Sequence, residues 1–374
     1  MKIARIEVFE LVAPLEKPWR IATYELKSLL ATLVRIHSDD GLTGIGECIV
    51  RLGPGATRAV VEEVLAPVVI GRDGFDIEGI WDDMYRTMRA RGHSRGYLLE
   101  AISGIDIALW DLLGKKLGLP VAKLLAGHGR RELPAYASSI LLDTPAVMAG
   151  EAQRLAAEGY GAIKMKVGGG RKADIARMDA VRQAVGADVE VMLDANSGYD
   201  APTAIAVRQH AEKLGVFWLE EPVMPDDFPG YRRIRNALKG VRLAAGEGEF
   251  TVSGFRSLLE EGLLDVLQPD IARAGGFTGC RRIAALADAY NVAIAPHTGA
   301  SGPVCIAASL HFAAATPRFL TFEHMYIHNP LHEILARPLP QPKSGKIAVP
   351  TAPGLGIELD ENAVKRFLRK GPEL

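Results

Sequence analysis

The stretch EVMLDANSGYDAPTAIAVRQHAEKLGVFWLEEP, residues 190–222, decides the fold. It reads as an apolar strand (Glu190–Asp194), an amphipathic helix (Ala201–Leu214) and a second apolar strand (Val216–Glu220), which is how two parallel strands are joined by a crossover helix. The same rhythm runs outward on both sides. Upstream lie Pro134–Ser138 and Ala162–Val167, and downstream Arg242–Glu247, Val266–Asp270, Ala293–His297 and Leu320–Glu323. Between them sit helical stretches at Ala146–Glu158, Ala173–Val185, Tyr231–Leu238, Ser253–Glu260, Gly276–Tyr290 and Pro303–Ala315. Eight such strands predict an α/β chain closed into a barrel.

The N-terminal third has a different rhythm. Residues 3–12, 29–37 and 45–51 read as strands, with Asp39-Asp40-Gly41 as a hairpin turn. Helical patterning follows at 57–70, 76–90 and 97–118, the last stopped by Gly118 and Pro120. This is an α+β unit. After His324 the chain is Pro-rich and ends in a short helical run, so it is expected to pack back on the first unit. The expected division is 1–127, 128–328 and 329–374.

Composition narrows the function classes. With 48% hydrophobic and 24% charged residues the chain resembles a globular average. Lys+Arg 44 against Asp+Glu 45 leaves a net charge of −1, without a basic block for nucleic acid. Cys48, Cys280 and Cys305 lack the spacing of a zinc site or a disulfide framework and read as buried thiols in a reducing compartment. No signal peptide and no long apolar run is visible, so a cytoplasmic enzyme without membrane contact is expected.

Ionisable residues fall at the ends of consecutive barrel strands, where such folds build their sites. They are Lys164 and Lys166, Asp194, Glu220, Glu247, Asp270, His297 and Glu323, spaced by about one βα unit. Three neighbouring acids, Asp194, Glu220 and Glu247, are costly to bury together unless a cation compensates. All-oxygen ligation points to Mg²⁺, with Mn²⁺ as a substitute. Glu221 competes with Glu220, which is preferred because it shares a strand face with Trp218.

Lys164 and Lys166 project from one strand face, and two adjacent ammonium groups should lower each other's pKa. One then serves as a base near neutral pH and the other stays a cation. His297 and Asp270 end adjacent strands and can pair, the acid fixing the imidazole's tautomer and raising its basicity. Glu323 is either a protonated donor to a substrate oxyanion or a structural ion pair.

Taken together, AISGIDIALWDLLGKKLGLPVAKLLAG (101–127), KMK (164–166), DAN (194–196), EEP (220–222), GE (246–247), QPD (268–270) and PH (296–297) resemble the enolase superfamily, in its mandelate racemase-like branch. The resemblance implies a modified TIM barrel, (β/α)7β, under an N-terminal α+β capping domain completed by the C-terminal tail. It implies Mg²⁺, a base that removes the proton α to a carboxylate, and an enediolate stabilised by the metal. By position, Lys166 is the base on one substrate face and His297, supported by Asp270, the acid or base on the other. Lys164, Asn196 and Glu323 would contact the substrate carboxylate. Arg20, Tyr24 and Arg51 occupy capping positions that close over substrate, and their polarity suits a hydroxylated or diacid molecule. A homo-oligomer is also implied.

The expected reaction is therefore loss of a β-hydroxyl from an acid sugar, with racemisation or epimerisation of a 2-hydroxy acid as the alternative. A nicotinamide enzyme is disfavoured because Val167-Gly168-Gly169-Gly170 lacks the G-x-G-x-x-G spacing. A non-catalytic scaffold is disfavoured because no member of the constellation is missing.

Overall fold

The structure, a computed structural model, describes residues 1–127, 129–237 and 240–371. The expected helix end at Leu238, the barrel's expected start at His128 and the last three residues of the tail lie outside the described residues. In the first unit, β1 (Ile3–Arg20), β2 (Glu25–Ser38) and β3 (Thr43–Cys48) form an antiparallel meander. The helix Tyr97–Leu117 lies on it, buried along nearly its whole length. Close approach is possible because β3 carries Gly44 and Gly46, where an added Cβ would sit 2.0 Å from the Ala108 carbonyl and 1.9 Å from that of Gly104. The helix expected at 57–70 starts earlier, at Pro54, since proline suits a first helical turn, and it passes through a π-helical stretch at Val60–Leu65.

The barrel strands are β4 (Glu132–Ile140), β5 (Ala162–Lys166), β6 (Glu190–Asp194), β7 (Trp218–Glu220), β8 (Arg242–Ala245), β9 (Val266–Leu267), β10 (Ala293–Ile294) and β11 (Phe322–Met325). Their order is β10-β9-β8-β7-β6-β5-β4-β11, parallel throughout. Ile294 closes the ring by pairing with Phe319, its carbonyl accepting the Leu320 N–H at 2.8 Å. Helices alternate with the strands, giving (β/α)7β. Tyr136, Met192, Trp218, Ala244, Val266 and Ala295 point inward and fill the barrel below its mouth.

β8, β9 and β10 end two or three residues earlier than expected, so Glu247, Asp270 and His297 lie just beyond them. Each is preceded by a residue that interrupts the ladder. Pro269 and Pro296 have no N–H to donate, and Gly246 has φ 132. The chain turns there and brings the next side chain over the mouth. Glu323 is not at a strand end, because β11 continues through His324 and Met325, which pair with Ala137 and Ser138.

The last segment touches both units. β12 (Lys346–Ala348) pairs antiparallel with β4, Leu368 bridges Leu11, and the Leu355 N–H donates to Asp111 at 2.7 Å. The first unit also grips the barrel directly. The Trp81 indole donates to the Gly275 carbonyl at 2.8 Å, and Asp106 accepts the Thr278 N–H at 3.0 Å, at the start of the helix Gly276–Ala289.

Cys48, Cys280 and Cys305 are buried and unpaired. Among the described residues no helix is long and apolar enough to cross a membrane. His311 is buried between the Ala122 N–H (3.2 Å) and the Leu355 carbonyl (3.1 Å), and burial pushes its pKa from 6.5 down to about 4. An unfolded imidazole takes a proton below pH 6.5 whereas the folded one resists until about pH 4, so its stabilising contribution is full above 6.5 and lost as pH falls through this window. Urea unfolding at pH 7.5 and pH 5.0 should show this loss, amounting to ~2 kcal/mol for this one group. The His311→Gln variant should lose correspondingly less over the same range.

Candidate active site

Register aligns the first members of the site. Lys166 pairs with Asp194 and Asp194 with Glu220 across β5, β6 and β7, so their side chains share the inward face. Oxygens of Asp194, Glu220 and Glu247 all lie within 4.8 Å of one another. Burial, only partly offset by Lys164, pushes the Glu220 carboxyl up to about 8, with Asp194 adding to the rise. A site that crowds acids at this cost, on oxygen donors alone, fits a hard divalent cation. The adjacent acids diverge after β7: Glu220 accepts from Lys164 at 2.7 Å and from the Trp218 indole at 3.1 Å. Glu221, in the left-handed region at φ 40, turns its side chain into an outer cleft.

The lysines behave differently from the sequence expectation. Lys164 is an ion-pair hub, 2.7 Å from Glu220, 2.8 Å from Glu323 and 3.7 Å from Asp194. Lys166 lies 2.5 Å from Asp194. Burial works most strongly against the Lys166 charge and Lys164 repels it, but Asp194 together with Glu247 and Glu220 more than offsets both, so the pKa is raised and not lowered. The expected mutual lowering is overridden because carboxylates from neighbouring strands crowd both ammonium groups.

His297 Nδ1 is 2.8 Å from Asp270, and Nε2 faces Glu247 at 3.3 Å. Burial lowers its pKa, yet the surrounding Glu247, Glu323 and Asp270 raise it overall. Asp270 also accepts the Ala272 N–H at 2.8 Å, which fixes the carboxylate. Of the two readings for Glu323, the ion pair is the one present. Its oxygens take Lys164, the Ser138 hydroxyl (2.7 Å) and the Thr298 N–H (2.7 Å), and Lys164, His297 and that N–H hold the carboxyl below its usual range despite burial.

Lys166, His297, Glu247 and Glu323 line an inner chamber of ≈ 40 Å³, which shares Tyr24, Arg51 and Asn196 with an outer cleft of ≈ 650 Å³. The Asn196 Oδ1 is buried without a partner among the described residues, so it is free to accept from a ligand. Arg51 spans both spaces and donates to the carbonyls of Gly299 (2.6 Å) and Ala300 (3.4 Å).

Arg20 does not join them. It pairs with Glu25 at 3.2 Å and borders a separate surface groove, while its neighbour Trp19 is buried and lines the inner chamber. Alternation along β1 sends the two side chains to opposite faces. Sequence reasoning also passed over Ser138, although it ends an expected strand as Asp194 does, and Thr298, directly after His297. In the glycine run 168–170, the Gly168 and Gly170 N–H groups donate to Asp174 at 3.0 and 2.9 Å.

Known proteins are similar to this chain over most of its length. Residues 4–126 match the mandelate racemase/muconate lactonizing enzyme N-terminal domain, and 147–363 the enolase C-terminal domain-like family. The chain is 36% identical over 384 residues to a D-galactarolactone cycloisomerase of Agrobacterium fabrum, covering 100% of both. It is 36% identical to a D-galactonate dehydratase of Variovorax paradoxus, covering 95% of each. A racemase from Streptomyces coelicolor A3(2), solved with bound magnesium, superposes with a TM-score of 0.90 at 31% identity, covering 98% of this chain and 100% of that one.

Proposed function

Because this chain belongs to the mandelate racemase/muconate lactonizing enzyme family and is an enzyme of the enolase superfamily, we propose that it is an Mg²⁺-dependent acid-sugar dehydratase. The observation that carries this reading is one chamber lined by both Lys166 and His297. Their strands are separated by β4 and β11 on one side of the barrel and by β6 to β9 on the other, so a substrate between them meets a base on each face.

Asp194, Glu220 and Glu247 would hold the cation, which supplies positive charge against the oxyanion that develops on the substrate carboxylate. Lys164, held cationic by Glu220 and Glu323, adds fixed positive charge, and Asn196 orients the acid group. Lys166, as the free amine, takes the proton from the carbon next to the carboxylate. His297, protonated on Nε2 and braced by Asp270, gives a proton to the departing β-hydroxyl. Water leaves, and the enol product becomes a 2-keto-3-deoxy acid. The cleft beyond the chamber takes the rest of the hydroxylated chain, with Arg51 and Tyr24 as its polar contacts. In this reading residues 1–127, completed by 329–374, form the cap over the barrel.

A cycloisomerisation is the second reading, favoured by the full-length similarity to the D-galactarolactone cycloisomerase. There the β-oxygen belongs to a ring, takes the same proton and stays attached, so no water is released. Racemisation would return a proton to carbon instead. NMR of the enzyme with Mg²⁺ and a panel of aldonates, aldarates and their lactones separates the three. The dehydratase reading requires a 2-keto-3-deoxy acid from an open-chain acid. Ring opening without loss of water, or inversion without a keto acid, replaces it with the second or third reading.

Gly299 gives a specific test of the His297 face. An added Cβ would sit 2.7 Å from Nε2, in the space a leaving oxygen needs. The Gly299→Ala variant should fold normally and lose about 100-fold in kcat/KM. Unchanged turnover would show that the substrate does not approach Nε2.

A further inference from the structure

We propose that Glu47 is a positioning residue for His297, acting from the first unit through the segment Thr298–Gly302. This rests on the reading of His297 as the proton donor. Glu47 projects from β3, is 2% exposed, and reaches across to the barrel. One carboxylate oxygen accepts the Gly302 N–H at 2.7 Å and the other the Cys305 N–H at 2.9 Å. These are the cap and the third residue of the helix Pro303–Ala315, whose own side chains provide no cap. The carboxylate thus does from another unit what an N-cap does locally.

What this helix start carries makes the contact consequential. Going backward, Gly302 joins His297 through four residues, and Thr298 among them bonds Glu323 through both its N–H and its hydroxyl. Going sideways, the Cys305 thiol lies 3.9 Å from Asp270 Oδ1, while the other oxygen of Asp270 holds His297. Arg51, four residues after Glu47, binds the carbonyls of Gly299 and Ala300 in the same segment. Both approaches to the imidazole are therefore fixed by a strand of the first unit. Gly302 is required for this, since any Cβ there would meet both Glu47 oxygens at 2.7 Å. Its φ of −73 is open to alanine, so Gly302→Ala displaces the carboxylate without straining the backbone.

The experiment uses Glu47→Gln and Gly302→Ala, each alone and combined with His297→Asn, on an acid sugar that the wild type turns over. Each should lower kcat about tenfold or more, leave KM within about twofold, and cause no further loss when His297 is already asparagine. Equal losses in both backgrounds, or a change in KM alone, would reduce Glu47 to a structural contact and overturn the proposal. A second readout needs no turnover. The downfield Nδ1–H NMR signal of His297, identified by its absence in His297→Asn, should shift or broaden in both variants, with faster amide exchange across Thr298–Cys305. An unchanged signal and unchanged exchange would refute the clamp even if no substrate were found, which keeps its failure separate from that of the acid-sugar reading.

Discussion

Replacing Lys166 with alanine is expected to lower turnover of the acid sugar by about a thousandfold or more. The residue sits at the end of β5 against Asp194, on the chamber wall, and in the proposed reaction it is the amine that meets the substrate from the face opposite His297. The loss should fall on kcat, since Lys164, Asn196 and the outer cleft still bind. Lys166→Arg should not restore activity, because a guanidinium keeps the charge but does not give up its proton near neutral pH. Steady-state kinetics on the two variants check this, and activity in Lys166→Arg close to wild type would assign proton removal to another group.

Removing the cation is expected to cost as much. Chelation, or Asp194→Asn, should reduce turnover by about a thousandfold. Mg²⁺ should restore the chelated enzyme, Mn²⁺ should substitute, and Zn²⁺ should do so poorly on an all-oxygen donor set. In the proposed site a cation and Lys166 would compete for Asp194, whose charge helps hold that lysine's pKa up. Metal uptake should therefore release protons, and the apparent affinity should rise with pH. Calorimetry in two buffers of different ionisation enthalpy measures the release, and an equal heat in both would show that Lys166 is not coupled to the metal site.

The barrel was legible because its signal is local. Short apolar runs, helical patterning between them, and an ionisable residue near the end of most of the runs can be read without knowing any contact. Even the shortened strands had visible causes in Gly246, Pro269 and Pro296. What escaped depends on facing and distance. Arg20 was expected at substrate because the resemblance puts its segment in the cap, past a strand read as ending at residue 12. In fact it continues to Arg20 with a shift of register between Pro14 and Trp19, so the face of each side chain could not be counted from the clear part of the strand. The lysine pair was visible, but the carboxylates that reverse its expected pKa come from β6, β7 and β11. Glu47 lies 255 positions from Gly302, and no local pattern marks such a contact.

The central claim is that catalysis begins with loss of the proton next to the carboxylate. Its most direct test is turnover of an acid sugar deuterated at that carbon, in ordinary water, with mass spectrometry and NMR of the product. Slower turnover than with the protonated compound is expected, with a keto acid free of that deuterium, which Lys166 has passed to solvent. A product that keeps the label at the same carbon, or carries it on the neighbouring one, would contradict it.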